Sequence, residues 1–222
     1  MVTLTSISFA EDADTLAINV PENKDYKLVY DMDLNKMAKD IKYTVDNSES
    51  AGKFSRVAYY LELTPKEGDP QWVYVSLDAF SDDAKLVGIP TMASKANFQQ
   101  EVKNLTVLSN VDGVKTGTDI DGNIEFWPNN YQPANKVKVP DADDKKFDFG
   151  DGISMPEDGY GSMQVHNTKE KQTIFALNHW VTGNQADLGI GNNPAGNPDW
   201  TFTKSAGKYT TKRLRVLILP AK

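Results

Sequence analysis

"GYGSMQVHNTKEKQTIFALNHW", residues 159–180, decides the fold: apolar and polar side chains alternate on either side of the polar stretch 168–171. Alternation with a period of two marks a strand, because successive side chains point to opposite faces of a sheet. A loop with an odd number of residues centred near Glu170 pairs Val165 with Phe175 and Met163 with Leu177, apolar against apolar, whereas an even loop would mix the faces. In that register Tyr160, Ser162, Gln164, His166, Asn178 and Trp180 share the other face, and His179 points away from His166.

The same stretch holds both histidines of the chain, with Ser162 four residues before His166. A nucleophile and its base must lie within hydrogen-bond reach. On one strand these two sit two pleats apart, about 13 Å at about 3.3 Å per residue. No G-x-S-x-G elbow occurs, and "GDGIS" at 150–154 has glycine where the nucleophile should stand. No catalytic residue is assigned. A carbohydrate O-acetylesterase using Ser162 with His166 or His179 is kept as the alternative.

Outward from the hairpin the same alternation recurs. Strands are expected at Leu4–Phe9, Thr15–Val20, Lys27–Asp31, Ile41–Asp46, Phe54–Leu63, Trp72–Ala79, Asn97–Val102, Leu105–Asn110, Gly122–Trp127, Lys145–Phe149, Gly161–Asn167, Gln172–Trp180 and Arg213–Leu219. Polar turn clusters such as "PENKD", "PKEGDP" and "GNNPAGNPD" separate most of them. Only "DLNKMAKDI" suggests one or two helical turns. Short strands with polar turns predict an all-β fold, a two-sheet antiparallel β-sandwich of jelly-roll type. No repeat or linker divides the chain, so residues 1–222 are read as a single domain.

Composition narrows the partners. The 222 residues are 39% hydrophobic and 25% charged, with a formal net charge of −7 and no cysteine. Thiolate metal sites, cysteine nucleophiles and disulfides are excluded. The lysines and arginines form no stripe, so a nucleic acid is not expected as a partner. No apolar run is long enough for a spanning helix, which argues against membrane insertion. No export signal is recognisable at the N-terminus.

Three further clusters carry candidate chemistry. "EFWPNNYQPAN", 125–135, places Trp127 and Tyr131 around Asn129 and Asn130 in a proline-stiffened stretch. Rings that stack on the apolar face of a pyranose, beside amides that take its hydroxyls, suit a sugar; a structural loop whose aromatics plug one end of the fold is the plain alternative. "TDIDGNIEF", 118–126, resembles a calcium loop but lacks carboxylates at its first and twelfth positions, so an Asp121-Gly122 hairpin turn is expected instead. Asp141, Asp143, Asp144, Asp148 and Asp151 offer oxygens for a structural Ca²⁺, or a solvated turn. No other cofactor is expected. "NQADLGIGNNPAGNPDW", 184–200, reads as an ordered loop, since "GIGNNPAG" lacks the third glycine of a dinucleotide fingerprint.

The series "GNIEFWPNNYQPAN", "FDFGDG", "EDGYGSMQVHN", "QTIFALNHW", "ADLGIGN", "DWTF" and "YTTKRLRVLIL" resembles the non-catalytic β-rich region found with sialate O-acetylesterase-like proteins of environmental bacteria. The likeness continues upstream through "YKLVYDMDL", "RVAYYLEL" and "WVYVSLDAF" and so covers most of the chain. It implies a secreted or periplasmic, polysaccharide-related role beside an adjacent catalytic domain that would hold the esterase chemistry.

Residues and resemblance together predict a non-catalytic carbohydrate-binding or accessory module. Its expected partner is a glycan or polysaccharide, and its expected site is Trp127, Asn129, Asn130, Tyr131, Tyr160, Gln164, His166, Asn178 and Trp180. A structural or protein-interaction module is the second alternative.

Overall fold

The period-two alternation builds one continuous sheet. A computed structural model describes residues 23–36, 42–91, 93–127, 162–178, 187–191 and 205–222. Its strands are β1 (Lys27–Asp33), β2 (Val45–Asp46), β3 (Phe54–Pro65), β4 (Gln71–Asp78), β5 (Phe98–Ser109), β6 (Gly117–Trp127), β7 (Ser162–Asn167), β8 (Gln172–Asn178), β9 (Asp187–Ile190) and β10 (Tyr209–Pro220). Short 3-10 turns are the only helical elements among the described residues. No described helix is long and apolar enough to cross a membrane.

All ten strands join in the order β2-β1-β10-β3-β4-β5-β6-β7-β8-β9, each antiparallel to its neighbours. Two separate sheets were expected. Among the described residues there is one, curled so that its halves face each other in a sandwich-like, jelly-roll-like fold. Tyr59 on β3 meets Phe126 on β6 and Phe175 on β8, with ring centroids 5.8 and 5.7 Å apart. Leu61, Val73, Val75, Leu77, Ile124, Leu177, Val216 and Ile218 fill the same core without exposure.

The curl has a visible cause in two opposed β-bulges. The β5–β6 ladder shifts register between Val102 and Leu105, and again between Leu105 and Val107. Asn104 on β5 and Asp119 on β6 sit there with φ of 55° each. An extra residue bends a strand and raises its twist, and one on each neighbour restores the pairing beyond the bend. Arg56 pins this corner, donating to the Asn104 carbonyl at 2.8 Å and to Asp78 at 2.9 Å. Hence the expected strands 97–102 and 105–110 are one strand.

The Asp121-Gly122 hairpin turn does not form. Both residues lie inside β6, where Gly122 stands between Val102 and Asn167. A Cβ on Gly122 would lie 2.4 Å from the His166 carbonyl oxygen and 2.6 Å from Leu105 Cδ2. Glycine is required here by close approach between strands, not by a turn.

A tyrosine cluster closes one end of the first half of the sheet. Tyr30 stacks on Tyr43 at 4.1 Å, the Tyr43 oxygen accepts from the Ile89 N–H at 2.8 Å, and Tyr59 donates to the Val87 carbonyl at 2.9 Å. Burial pushes the Tyr30 hydroxyl up to about 12 and raises those of Tyr43 and Tyr59 well above their ordinary value.

The expected strands at Leu4–Phe9, Thr15–Val20 and Lys145–Phe149 lie outside the described residues. Strand β9 was expected as loop. Its four residues pair with β8, and Ser205 completes its outer edge: the hydroxyl accepts from the Leu188 N–H at 2.9 Å and donates to the Leu188 carbonyl at 2.7 Å.

Candidate functional site

The opening hairpin pairs as its side chains demand, Val165 with Phe175 and Met163 with Leu177. The route differs from the expected odd loop. Asn167 pairs with Gln172, leaving the even loop 168–171, and a bulge between Val165 and His166 absorbs the mismatch. Ile174 is the extra residue; it is fully buried in the core beside Phe175, and its carbonyl accepts from the Gly191 N–H at 3.0 Å. The bulge therefore keeps apolar side chains inward while Thr173 faces His166 across the ladder.

That outer face is polar across four strands. One row runs Gln99, Glu125, Gln164, and the next runs Glu101, Asn123, His166, Thr173, on β5, β6, β7 and β8. The Glu125 carboxylate is the hub. Gln99 Nε2 donates to Oε1 at 3.1 Å and Gln164 Nε2 to Oε2 at 3.5 Å, while His166 Nε2 stands 3.7 Å from Oε2. On the other side of the imidazole, Thr173 Oγ1 lies 3.3 Å from Nδ1.

On β6, β7 and β8 this face is buried, not solvated, while Glu101 on β5 is exposed. Asn123, Glu125, Gln164, His166 and Thr173 are 0% exposed and Gln99 is 7% exposed. Polar groups at such depth persist because they bond one another. The chemistry available is that of a carboxylate held by two amides, beside an imidazole and a hydroxyl. Ser162 is not part of it: it starts β7, in a row with Trp127 and Asn178, while the hydroxyl beside His166 belongs to Thr173.

A third row completes the face. Trp127 ends β6, Ser162 begins β7, Asn178 ends β8 and Asp187 begins β9, and the four are consecutive partners across the sheet. Of the expected site residues, Gln164 and His166 thus lie in the buried rows, and Trp127 and Asn178 in the row at the strand ends. Asn129, Asn130, Tyr131, Tyr160 and Trp180, together with His179, lie outside the described residues. So do Asp141, Asp143, Asp144, Asp148 and Asp151. Among the described residues no group of three or more His, Asp or Glu is placed to hold a metal ion.

Gln99, Asn123, Glu125 and Thr173 were missed. The signal for two of them was present, since "GNIEFW" alternates Asn123, Glu125 and Trp127 against Ile124 and Phe126. What the letters could not supply was the pairing of β6 with β7, because residues 128–161 separate them. Compared with known proteins, the chain matches no family model, no curated protein and no solved structure.

Proposed function

We propose that the chain is a non-catalytic accessory module that binds a glycan or polysaccharide, working beside an adjacent catalytic domain in a secreted or periplasmic protein. One observation carries this reading: Trp127, Ser162, Asn178 and Asp187 stand side by side at one end of the sheet. Asn129, Asn130 and Tyr131 follow Trp127 within four residues, Tyr160 precedes Ser162 by two, and Trp180 follows Asn178 by two. Aromatic and amide residues dispersed in sequence are therefore close along the chain to strand ends that are neighbours in the sheet. Rings and amides are the groups that meet the two kinds of surface a sugar offers. The resemblance to regions accompanying sialate O-acetylesterase-like proteins points the same way.

Affinity electrophoresis against laminarin, xylan, pullulan, alginate and polysialic acid tests the proposal. At least one polysaccharide is expected to retard the folded protein, and Trp127→Ala to remove the retardation. A folded protein that none of them retards contradicts it.

The burial of Gln164 and His166 favours a second reading, a structural or protein-interaction module whose polar rows only hold strands in register. That reading predicts no retardation by any glycan.

A further inference from the structure

We propose a further sugar site, apart from the strand ends, on the outer face of β10, β3 and β4, where Trp72, Glu62 and Arg215 take one neutral sugar ring. On β3 the core receives Tyr59, Leu61 and Leu63, so Tyr60 and Glu62 face the other way. Glu62 pairs with Trp72 on one side and Arg213 on the other, and Tyr60 pairs with Tyr74 and Arg215. These side chains therefore share the outer face.

Two arginines on this face differ in one hydrogen bond. Arg213 turns the Nε and Nη2 edge of its guanidinium to Asp31, and both donors are taken, at 2.9 and 2.5 Å. Arg215 gives Nη2 to Glu62, but its Nε is buried and meets no acceptor. Glu62 does not close the fork, and the Tyr60 hydroxyl bonds the same carboxylate. The Arg215 guanidinium is held in place all the same, 5% exposed and 4.9 Å over the Tyr60 ring. A buried donor without an acceptor is costly, and one oxygen set beside Nε removes that cost.

A sugar hydroxyl is such an oxygen, because it accepts from Nε while donating to the Glu62 carboxylate. Glu62 keeps 34% of its side chain exposed, so it can turn aside to admit the hydroxyl and still accept from it. Trp72 is half-buried beside it, its ring centroid 6.1 Å from that of Tyr60, and offers an indole to the apolar face of the same sugar. Arg215 and Glu62 already balance in charge, while Asp31 and Asp33 stand opposite Arg215 and Arg213 on β1. A neutral sugar keeps that balance, and a uronate would bring a like charge to it. One ring and one hydroxyl set the affinity at about millimolar, too weak to retard a polysaccharide unaided.

Saturation-transfer difference spectra with D-glucose, D-galactose, D-mannose, D-xylose and D-glucuronate, read with the indole N–H signals of the protein, test this site. At least one neutral sugar is expected to receive saturation and to move the Trp72 indole signal, half-saturating at about millimolar, with D-glucuronate about tenfold weaker. Trp72→Leu and Arg215→Lys should each weaken the transfer about tenfold, and Trp127→Ala should leave it unchanged. The indole shift is read in the wild type, so it decides even where a variant fails to fold. A Trp72 signal that no neutral sugar moves, transfer undiminished in folded Trp72→Leu, or D-glucuronate bound as tightly as the neutral sugars overturns the site. Transfer lost in Trp127→Ala but kept in Trp72→Leu overturns it and leaves glycan binding at the strand ends standing. Sugar bound at Trp72 by a protein that no polysaccharide retards supports this site and removes the strand-end reading.

Discussion

The first half of the sheet, β1, β10, β3 and β4, and the second half, β6 to β9, share one apolar core but treat their outer faces differently. On the first half charges are paired at the rim of an aromatic cluster. Arg213 Nε donates to Asp31 at 2.9 Å, Arg215 bonds Glu62, and the Arg215 guanidinium lies 4.9 Å over the Tyr60 ring. Arg213 keeps 44% of its side chain exposed and Glu62 keeps 34%. On the second half, among the described residues, the Glu125 carboxyl group is fully buried and accepts from two neutral amides. Hydration eases the first arrangement. The second places a carboxyl group where a leucine would cost less, so its hydrogen-bond partners must offset the loss of hydration.

The largest expected effect breaks this contrast at its hub. Glu125→Ala leaves two buried amides without their acceptor and is expected to cost about 3 kcal/mol or more. On the other half Arg213 stays partly exposed and can be hydrated once its partner is gone, so Asp31→Ala should cost less, about 1–2 kcal/mol. Urea unfolding midpoints of the two variants check the order; equal losses would remove the distinction between the faces.

Gly122→Ala comes next. Its Cβ would strike a backbone oxygen on β7, which cannot swing aside, so a loss of about 2–3 kcal/mol is expected by the same measurement. An unaffected variant would show that the corner between the halves is soft. Smaller again is Ser205→Ala, which strips the outer edge of β9 of one donor and one acceptor. A loss of about 1–2 kcal/mol is expected, with faster amide exchange at Leu188.

Alkaline pH perturbs the molecule by degrees, and it sharpens the comparison by acting on the buried tyrosines of the first half. Unfolded tyrosines ionise near 10.0, whereas burial raises Tyr30 and Tyr60 to about 12 and raises Tyr43 and Tyr59 well above the ordinary value. The folded state therefore keeps protons that the unfolded state has released, and stability falls as pH rises above 10. The described part of the second half carries no tyrosine. In unfolding midpoints the tyrosine contribution should be constant below about pH 10 and decline above it, with Tyr30→Phe making the decline shallower.

Much of the fold was legible because packing against one core enforces alternation. The pairs Val165–Phe175 and Met163–Leu177 follow from matching apolar residues, and the bulge at Ile174 shows that core burial outranks loop parity. The corner was not legible. Asn104 and Asp119 adopt positive φ for tertiary reasons, so a continuous β5 read as two strands and Gly122 read as a turn. Of the candidate site, Gln164 and His166 were placed on the right face, but alternation cannot tell a buried polar face from a solvated one. Glu125 stayed hidden because its partners come from two other strands, β5 and β7, and β7 follows only after residues 128–161.

The central claim is that a sugar is received at the row where β6 and β8 end and β7 and β9 begin. Isothermal titration of the retarding polysaccharide into wild type and Trp127→Ala tests it most directly. The account predicts saturable heat in the wild type and none in the variant, at matching urea midpoints. Equal binding by both proteins, or by neither, would contradict it.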